Sequence, residues 1–297
     1  HGLQQYRLDG VRVGIAAFTN LTREHLDYHH DMEGYLAAKM RLFTDIITPG
    51  GTAVLNADGD YAEAVETACR NADLQILRYG AAKADVCLEA CEIISDGYRL
   101  DISVAGNRTQ VRLPLMGDFQ ISNALAAVSL AIASGEDAKD AIAQLEYLQG
   151  APGRVQLVGE TPQGAPVFVD YAHTPDALSC VLGALRPHAT KRLCVVFGCG
   201  GDRDTGKRPE MGAIARDLCD VVIVTDDNPR TEDAAQIRAQ IVAAVPSAIE
   251  IAEREEAITK AIQGLDAGDL LVIAGKGHEQ GQVIGAETQP FNDIQVA

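Results

Sequence analysis

Asp227-Asn228-Pro229-Arg230 places a carboxylate, an amide, a rigid turn and a guanidinium fork within four residues. The set suits a small zwitterion, because a carboxylate accepts from an ammonium group and arginine grips a carboxylate through two parallel hydrogen bonds. An Asp/Asn/Pro turn carrying a surface arginine is the ordinary structural reading of the same residues. For the loop taken alone the ordinary reading is favoured, and other residues along the chain reverse that balance. The apolar run Val221-Val222-Ile223-Val224 precedes the loop and reads as a buried parallel strand. Open α/β sheets bind ligands beyond the carboxyl ends of such strands.

Further groups with chemical potential recur along the chain. His25-Leu26-Asp27-Tyr28-His29 precedes a helix containing Lys39, although a loop histidine and an exposed helix lysine are common on any surface. Asn123 lies in the first turns of an alanine-rich helix after Gly117-Asp118-Phe119-Gln120. Pro152-Gly153-Arg154 could be a hinge, and Asp170-Tyr171-Ala172-His173-Thr174 could be a strand end followed by a helix cap. Gly275-Lys276-Gly277-His278-Glu279 follows the apolar run Leu270–Ala274. Its glycines admit a ligand close to the backbone, and Glu279 can accept from an ammonium group. Gly201 to Lys207 fits the opening of a P-loop, but Arg208 stands where a Mg²⁺-binding serine or threonine is needed, which makes it a decoy.

The elements that must position these residues follow from periodicity. Val11–Phe18, Thr52–Leu55 and Gln75–Tyr79 read as strands, and Asp31–Ile47 and Tyr61–Arg70 as helices. Cys87–Ile94, Tyr98–Val104 and Thr109–Leu115 alternate apolar with polar residues and predict a small antiparallel sheet. Helices are expected over Phe119–Ala133 and Asp137–Leu148. The turn cluster Gly150-Ala151-Pro152-Gly153 then marks a boundary between domains 1–150 and 151–297. Beyond it, strands at Val167–Asp170, Leu193–Phe197, Val221–Thr225 and Leu270–Ala274 alternate with helices at Asp176–Leu185, Pro209–Leu218, Ala234–Val245 and Glu255–Gln263. Such alternation predicts an α/β fold ending in a Rossmann-like, mostly parallel sheet.

Composition bounds the partners. With 297 residues, 47% of them hydrophobic, the chain can build two cores. A net charge of −17 argues against nucleic acid. No apolar stretch reaches the ~20 residues of a membrane span, so no membrane insertion is expected. Seven dispersed cysteines point to reduced thiols in a cytoplasmic protein. The opening at His1 reads as loop then strand, and the chain is expected to be the C-terminal part of a longer protein.

In this order the motifs resemble the Mur ligase family, ATP-dependent peptide-bond formers of cell-wall synthesis, over essentially the whole chain. The resemblance implies the remainder of a central ATPase domain, lacking its P-loop, followed by the Rossmann-like C-terminal domain. It implies ATP and Mg²⁺ as cofactors, with Lys39 carbamylated and paired with His25 on the metal. Asn123 would read adenine, Arg154 and His173 would approach the phosphates on domain closure, and Asp170 would lie near the ribose. Arg7 would contact the muramoyl peptide. Arg203, Asn228 and Arg230 would hold carboxylate and backbone features of the incoming amino acid, with Asp227, Glu279 and the Gly275 carbonyl completing a polar cage. The Asp-Asn-Pro-Arg form is characteristic of members that add meso-diaminopimelate to UDP-N-acetylmuramoyl-L-alanyl-D-glutamate. A monomer is expected, as is inactivity of these 297 residues alone. A lysine-adding or other Mur-type ligase, and a noncatalytic binding module on the same fold, are the competing readings.

Overall fold

The computed structural model describes residues 2–21, 26–81, 84–94 and 96–297, so His25 lies outside the described residues. The chain divides into two compact units, His1–Leu148 and Gln149–Ala297.

In the first unit, β1 (Val13–Phe18) leads through α1 (Leu26–His29) and α2 (Met32–Arg41) to β2 (Ile47–Asn56), α3 (Ala62–Asn71) and β3 (Gln75–Gly80). β4 (Val86–Ile94), β5 (Gly97–Val104) and β6 (Asn107–Leu113) follow, then α4 (Asp118–Ala133) and α5 (Ala138–Ala143). All six strands form one sheet in sequence order. The small antiparallel sheet expected from the alternation is the second half of this larger one. β4 to β6 are antiparallel, but β4 also pairs in parallel with β3 through Tyr79↔Val86 and Gly80↔Cys87. That junction is a pairing between distinct strands, which alternation within one strand cannot encode.

The helix expected over Asp31–Ile47 is shorter. Asp31 caps it by accepting from the Gly34 N–H at 2.7 Å, and regular helix ends at Arg41. A wider turn, Leu42–Ile46, then delivers Phe43 and Ile46 to the core, each 1% exposed, and Ile47 opens β2. The apolar rhythm runs on past the helix end because both segments bury apolar side chains. α4 packs Ile121, Leu125 and Val128 against the sheet residues Leu100, Ile102 and Val111.

In the second unit, β7 (Gln156–Glu160) and β8 (Pro166–Asp170) precede α6 (Pro175–Leu185), β9 (Leu193–Phe197), α7 (Lys207–Leu218) and β10 (Val221–Val224). Then come α8 (Ala234–Val242), β11 (Ile249–Glu250), α9 (Arg254–Gln263), β12 (Leu270–Ala274), the hairpin β13 (Gly281–Ile284) and β14 (Glu287–Pro290), and α10 (Asp293–Val296). The main sheet runs β11-β10-β9-β12-β8-β7, parallel except for β7. β9 and β12 are buried at every residue, as central parallel strands covered on both faces must be. β7, β11, the hairpin and α10 carry too few residues or too little alternation to register in the sequence.

One interaction fastens the end of the chain to the sheet. Arg254 opens α9 and Asp293 opens α10. Their side chains are wholly buried and paired in a fork, Nε to Oδ1 at 2.7 Å and Nη2 to Oδ2 at 2.8 Å. Arg254 Nη2 also donates to the carbonyl of Ala274, the last residue of β12, at 3.0 Å. Removing one partner strands a buried charge. Asp293→Ala should therefore lower unfolding free energy by about 3–5 kcal/mol in urea titration. A loss below about 1 kcal/mol would show that the pair does not anchor this end.

Candidate functional site

Four loops leave the carboxyl ends of β8, β9, β10 and β12, and together they line a cavity of about 390 Å³. Its walls include His173, Arg203, Asp227, Asn228, Arg230, Gly275 and Glu279, joined by Tyr171, Asp204 and Lys207. Seven residues singled out from sequence thus share one chamber at the strand ends, where an open parallel sheet places its ligands.

Asp227 is buried in the chamber, Glu279 is partly exposed, and both are held by hydrogen bonds. Asp227 and Asn228 are each 6% exposed. The fully buried Lys276 ammonium reaches Asn228 Oδ1 at 2.9 Å, Glu279 Oε2 at 3.2 Å and Asp227 Oδ1 at 3.4 Å. Asn228 Nδ2 donates to Glu279 Oε2 at 3.0 Å, and Asn228 Oδ1 also accepts from the Val283 N–H at 2.9 Å. Gly275 has φ +115°, and a Cβ there would stand 3.1 Å from Asp227 Oδ2, so glycine keeps that oxygen uncovered.

The arginines differ in how firmly they are held. Arg230 adopts φ +52°, and its Nη1 donates to the Gly201 carbonyl at 2.8 Å. Its backbone is clamped by the hairpin: its N–H donates to Val283 O, and its carbonyl accepts from Gly285 N–H. Arg203 is exposed, and its guanidinium makes one hydrogen bond among the described residues, a 3.4 Å contact with the Asp202 carbonyl. The apparent P-loop is braced differently from a phosphate cradle. Arg208 is 1% exposed, forks onto Glu232 at 2.9 Å through both Nη atoms, and donates to Gly200 O at 3.2 Å. The residue that breaks the P-loop pattern is therefore the strut of its own loop. Lys207 Nζ donates to the His173 carbonyl at 2.7 Å and ties the β9 loop to the β8 loop. Burial pushes the Cys199 thiol up to about 12, so it is no nucleophile at neutral pH.

Arg154 and His173 meet through Tyr171, a residue that carried no motif signal of its own. The Arg154 guanidinium sits 4.8 Å from the Tyr171 ring centre, and the His173 ring 4.6 Å from it. His173 Nδ1 lies 2.9 Å from the Tyr171 carbonyl, which can only accept, so the hydrogen bond between them needs the proton on Nδ1. Asp170 holds the two loops at their roots, accepting from Val155 N–H and Ala172 N–H at 2.7 Å each. Burial raises its pKa, while these backbone donors pull in the other direction.

In the first unit, Lys39 Nζ donates to the Asn20 carbonyl at 2.8 Å and lies 5.2 Å from the Tyr35 ring centre and 5.7 Å from that of Phe18. Asn123 is exposed on α4 with its amide 3.2 Å from Gln120 Oε1, and Arg7 is exposed in the opening turn. Among the described residues no group of three His, Cys, Asp or Glu side chains is gathered for a metal. An ammonium group is a donor and not a ligand, so the described residues do not by themselves make a Mg²⁺ site.

Gly153, with φ +67°, packs directly on the Gly275–Glu279 turn, and a Cβ there would collide with the His278 nitrogen and the Gly277 carbonyl carbon. Gly153→Ala should cost about 2–4 kcal/mol in unfolding free energy, from strain plus collision. An unchanged urea midpoint would contradict this packing.

Comparison with known proteins identifies the two units. Residues 1–131 match the Mur ligase middle domain, and residues 153–277 match the Mur ligase glutamate ligase domain. The UDP-N-acetylmuramoyl-L-alanyl-D-glutamate–2,6-diaminopimelate ligases of Bradyrhizobium diazoefficiens and Mesorhizobium japonicum are each 52% identical over 99% of the chain. The chain spans 61% and 60% of their lengths. A solved structure of a ligase with that same name aligns over the whole chain and 61% of its own, at 39% identity and a TM-score of 0.72. The folylpolyglutamate synthase of Mycobacterium tuberculosis, at 22% identity and a TM-score of 0.70, shares the fold. The expected α/β architecture is thus borne out, and the chain belongs to the Mur ligase family, of which it carries the middle and C-terminal domains.

Proposed function

We propose that the chain is the nucleotide- and amino-acid-handling part of an ATP-dependent ligase that joins meso-diaminopimelate to UDP-N-acetylmuramoyl-L-alanyl-D-glutamate in peptidoglycan synthesis. One observation carries the reading: a single chamber presents the carboxylates Asp227 and Glu279 and the guanidinium groups Arg203 and Arg230. That is the complement of an amino acid whose far end bears both an ammonium and a carboxylate. The about 50% identity to curated diaminopimelate ligases across nearly the whole chain supports it.

On this reading ATP phosphorylates the D-glutamate side-chain carboxylate, and the amine of diaminopimelate attacks the acyl phosphate and expels phosphate. Arg230 and Arg203 grip a carboxylate of the amino acid. Asp227, Glu279 and the Gly275 carbonyl receive its ammonium, and Asn228 sets the shape of that cage. Arg154 and His173, both packed against Tyr171, serve the ATP phosphates, and Asp170 fixes their two loops. Asn123 contacts the adenine and Arg7 the muramoyl peptide. His25 and a carbamylated Lys39 are the proposed Mg²⁺ ligands. When bound, the ion offsets the charge of the transferred phosphate. A cytoplasmic monomer is the proposed state, and no helix among the described residues is long and apolar enough to cross a membrane.

The test is phosphate release by the protein with the N-terminal part that its relatives carry, supplied with ATP, Mg²⁺, the UDP-muramoyl dipeptide and either amino acid. Diaminopimelate should support release and lysine should not. Arg230→Ala should lower kcat/KM for diaminopimelate by about 10²-fold or more, because the distal carboxylate loses its partner. Release with lysine alone would keep the ligase and discard the assigned amino acid. No release with either would favour a noncatalytic module.

A further inference from the structure

Lys276 has no exposed surface, and the chemistry proposed above makes no use of it. An ammonium group carries three N–H donors. Here three oxygens surround it, at 2.9, 3.2 and 3.4 Å, each on a different residue of the chamber. Its donors are therefore spent on protein, and it cannot itself be a ligand contact.

Its effect on the neighbours is specific. Lys276 engages one oxygen of each carboxylate, Oδ1 of Asp227 and Oε2 of Glu279. Asn228 Nδ2 engages the same Glu279 oxygen, with the amide orientation fixed by the two donors on its own Oδ1. Asp227 Oδ2 and Glu279 Oε1 carry no protein hydrogen bond among the described residues. Each carboxylate is thus left with a single unengaged oxygen, and both residues line the chamber.

Charge leads to the same residue. The chamber wall holds Arg203, Lys207 and Arg230 against Asp204, Asp227 and Glu279, a balanced set apart from His173. Lys276 stands directly behind Asp227 and Glu279 and offsets the negative charge that those two carboxylates would otherwise offer to a cation. An amino acid ending in an ammonium–carboxylate pair is neutral overall and loses little by this, whereas lysine, a net cation, loses part of that attraction.

We infer that Lys276 is a positioning and specificity-determining residue for the amino-acid substrate. It sets which carboxylate oxygens meet the ligand's ammonium and biases the chamber against purely cationic side chains. The inference rests on the proposed amino-acid site and goes beyond it by assigning the selection to a residue that never touches the ligand.

The test compares the full-length protein with its Lys276→Met variant in the phosphate-release assay, with the melting temperature of each recorded. The variant's KM for diaminopimelate should rise about 30-fold or more, while its KM for ATP stays within about 2-fold. The ratio of kcat/KM for diaminopimelate to that for lysine should fall at least about 10-fold, through gain on lysine as well as loss on diaminopimelate. A purely structural role would lower the active fraction and leave both KM values and the selectivity ratio in place, which would overturn the inference. Should Lys276→Met fail to fold, Lys276→Gln keeps two N–H donors for the same oxygens without the charge, and the same selectivity loss is expected of it. A folded Lys276→Gln variant with wild-type selectivity would equally overturn the inference. Failure of the wild type to use diaminopimelate would instead defeat the function proposed above, and this inference with it.

Discussion

A buried ammonium group among three oxygens is the constraint on which the second unit's ligand chamber depends. Lys276 sits two residues past Ala274, the end of β12, and draws together Asp227 and Asn228 from the β10 loop and Glu279 from its own turn. Lys276 stands between the two carboxylates, within 3.4 Å of an oxygen of each. Lys276 in turn depends on where β12 ends. The Ala274 carbonyl is held by Arg254, and Arg254 by Asp293 of the final helix. A line of contacts therefore runs from the last turn of the chain to the oxygens that face the chamber.

The same device recurs on the other side of the chamber. Arg208 spends its guanidinium on Glu232, Gln240 and Gly200, and Lys207 spends its ammonium on the His173 carbonyl. Buried ion pairs return little net stability once desolvation is counted, but their directionality fixes loops in a single arrangement. Here they divide the cations into two groups. Lys276, Arg208 and Arg254 are consumed by the scaffold. Arg203 and most of the Arg230 fork stay free of it and are placed to meet a ligand. A chain with a net charge of −17 can thus keep guanidinium N–H donors available to an anionic group.

The sequence made the second unit legible because its strands are short, apolar and separated by amphipathic helices, and because Thr174 and Pro175 start α6 in the expected way. The loop residues Asp227, Asn228, Arg230 and Glu279 were recognisable by type, since each has donors or acceptors that a plain turn does not need. Lys276 and Tyr171 were not singled out. A lysine between two glycines looks like a solvated turn, and its burial is set by contacts 48 and 49 residues away in the chain. The pairing of β3 with β4 and the early end of α2 were hidden for a related reason: both are decided by what packs on the segment and not by its own rhythm. The metal centre expected around Lys39 is a different matter, since one proposed ligand would arise only by chemical modification of the side chain.

Whether the four strand-end loops, organised by Lys276, receive a zwitterionic amino-acid terminus is tested most directly by a crystal structure of the chain soaked with meso-diaminopimelate. Density is expected in the chamber with a carboxylate against Arg203 and Arg230, an ammonium against Asp227 Oδ2 and Glu279 Oε1, and Lys276 unmoved behind them. Density at another place on the molecule, or a ligand carboxylate bound directly to Lys276, would contradict it.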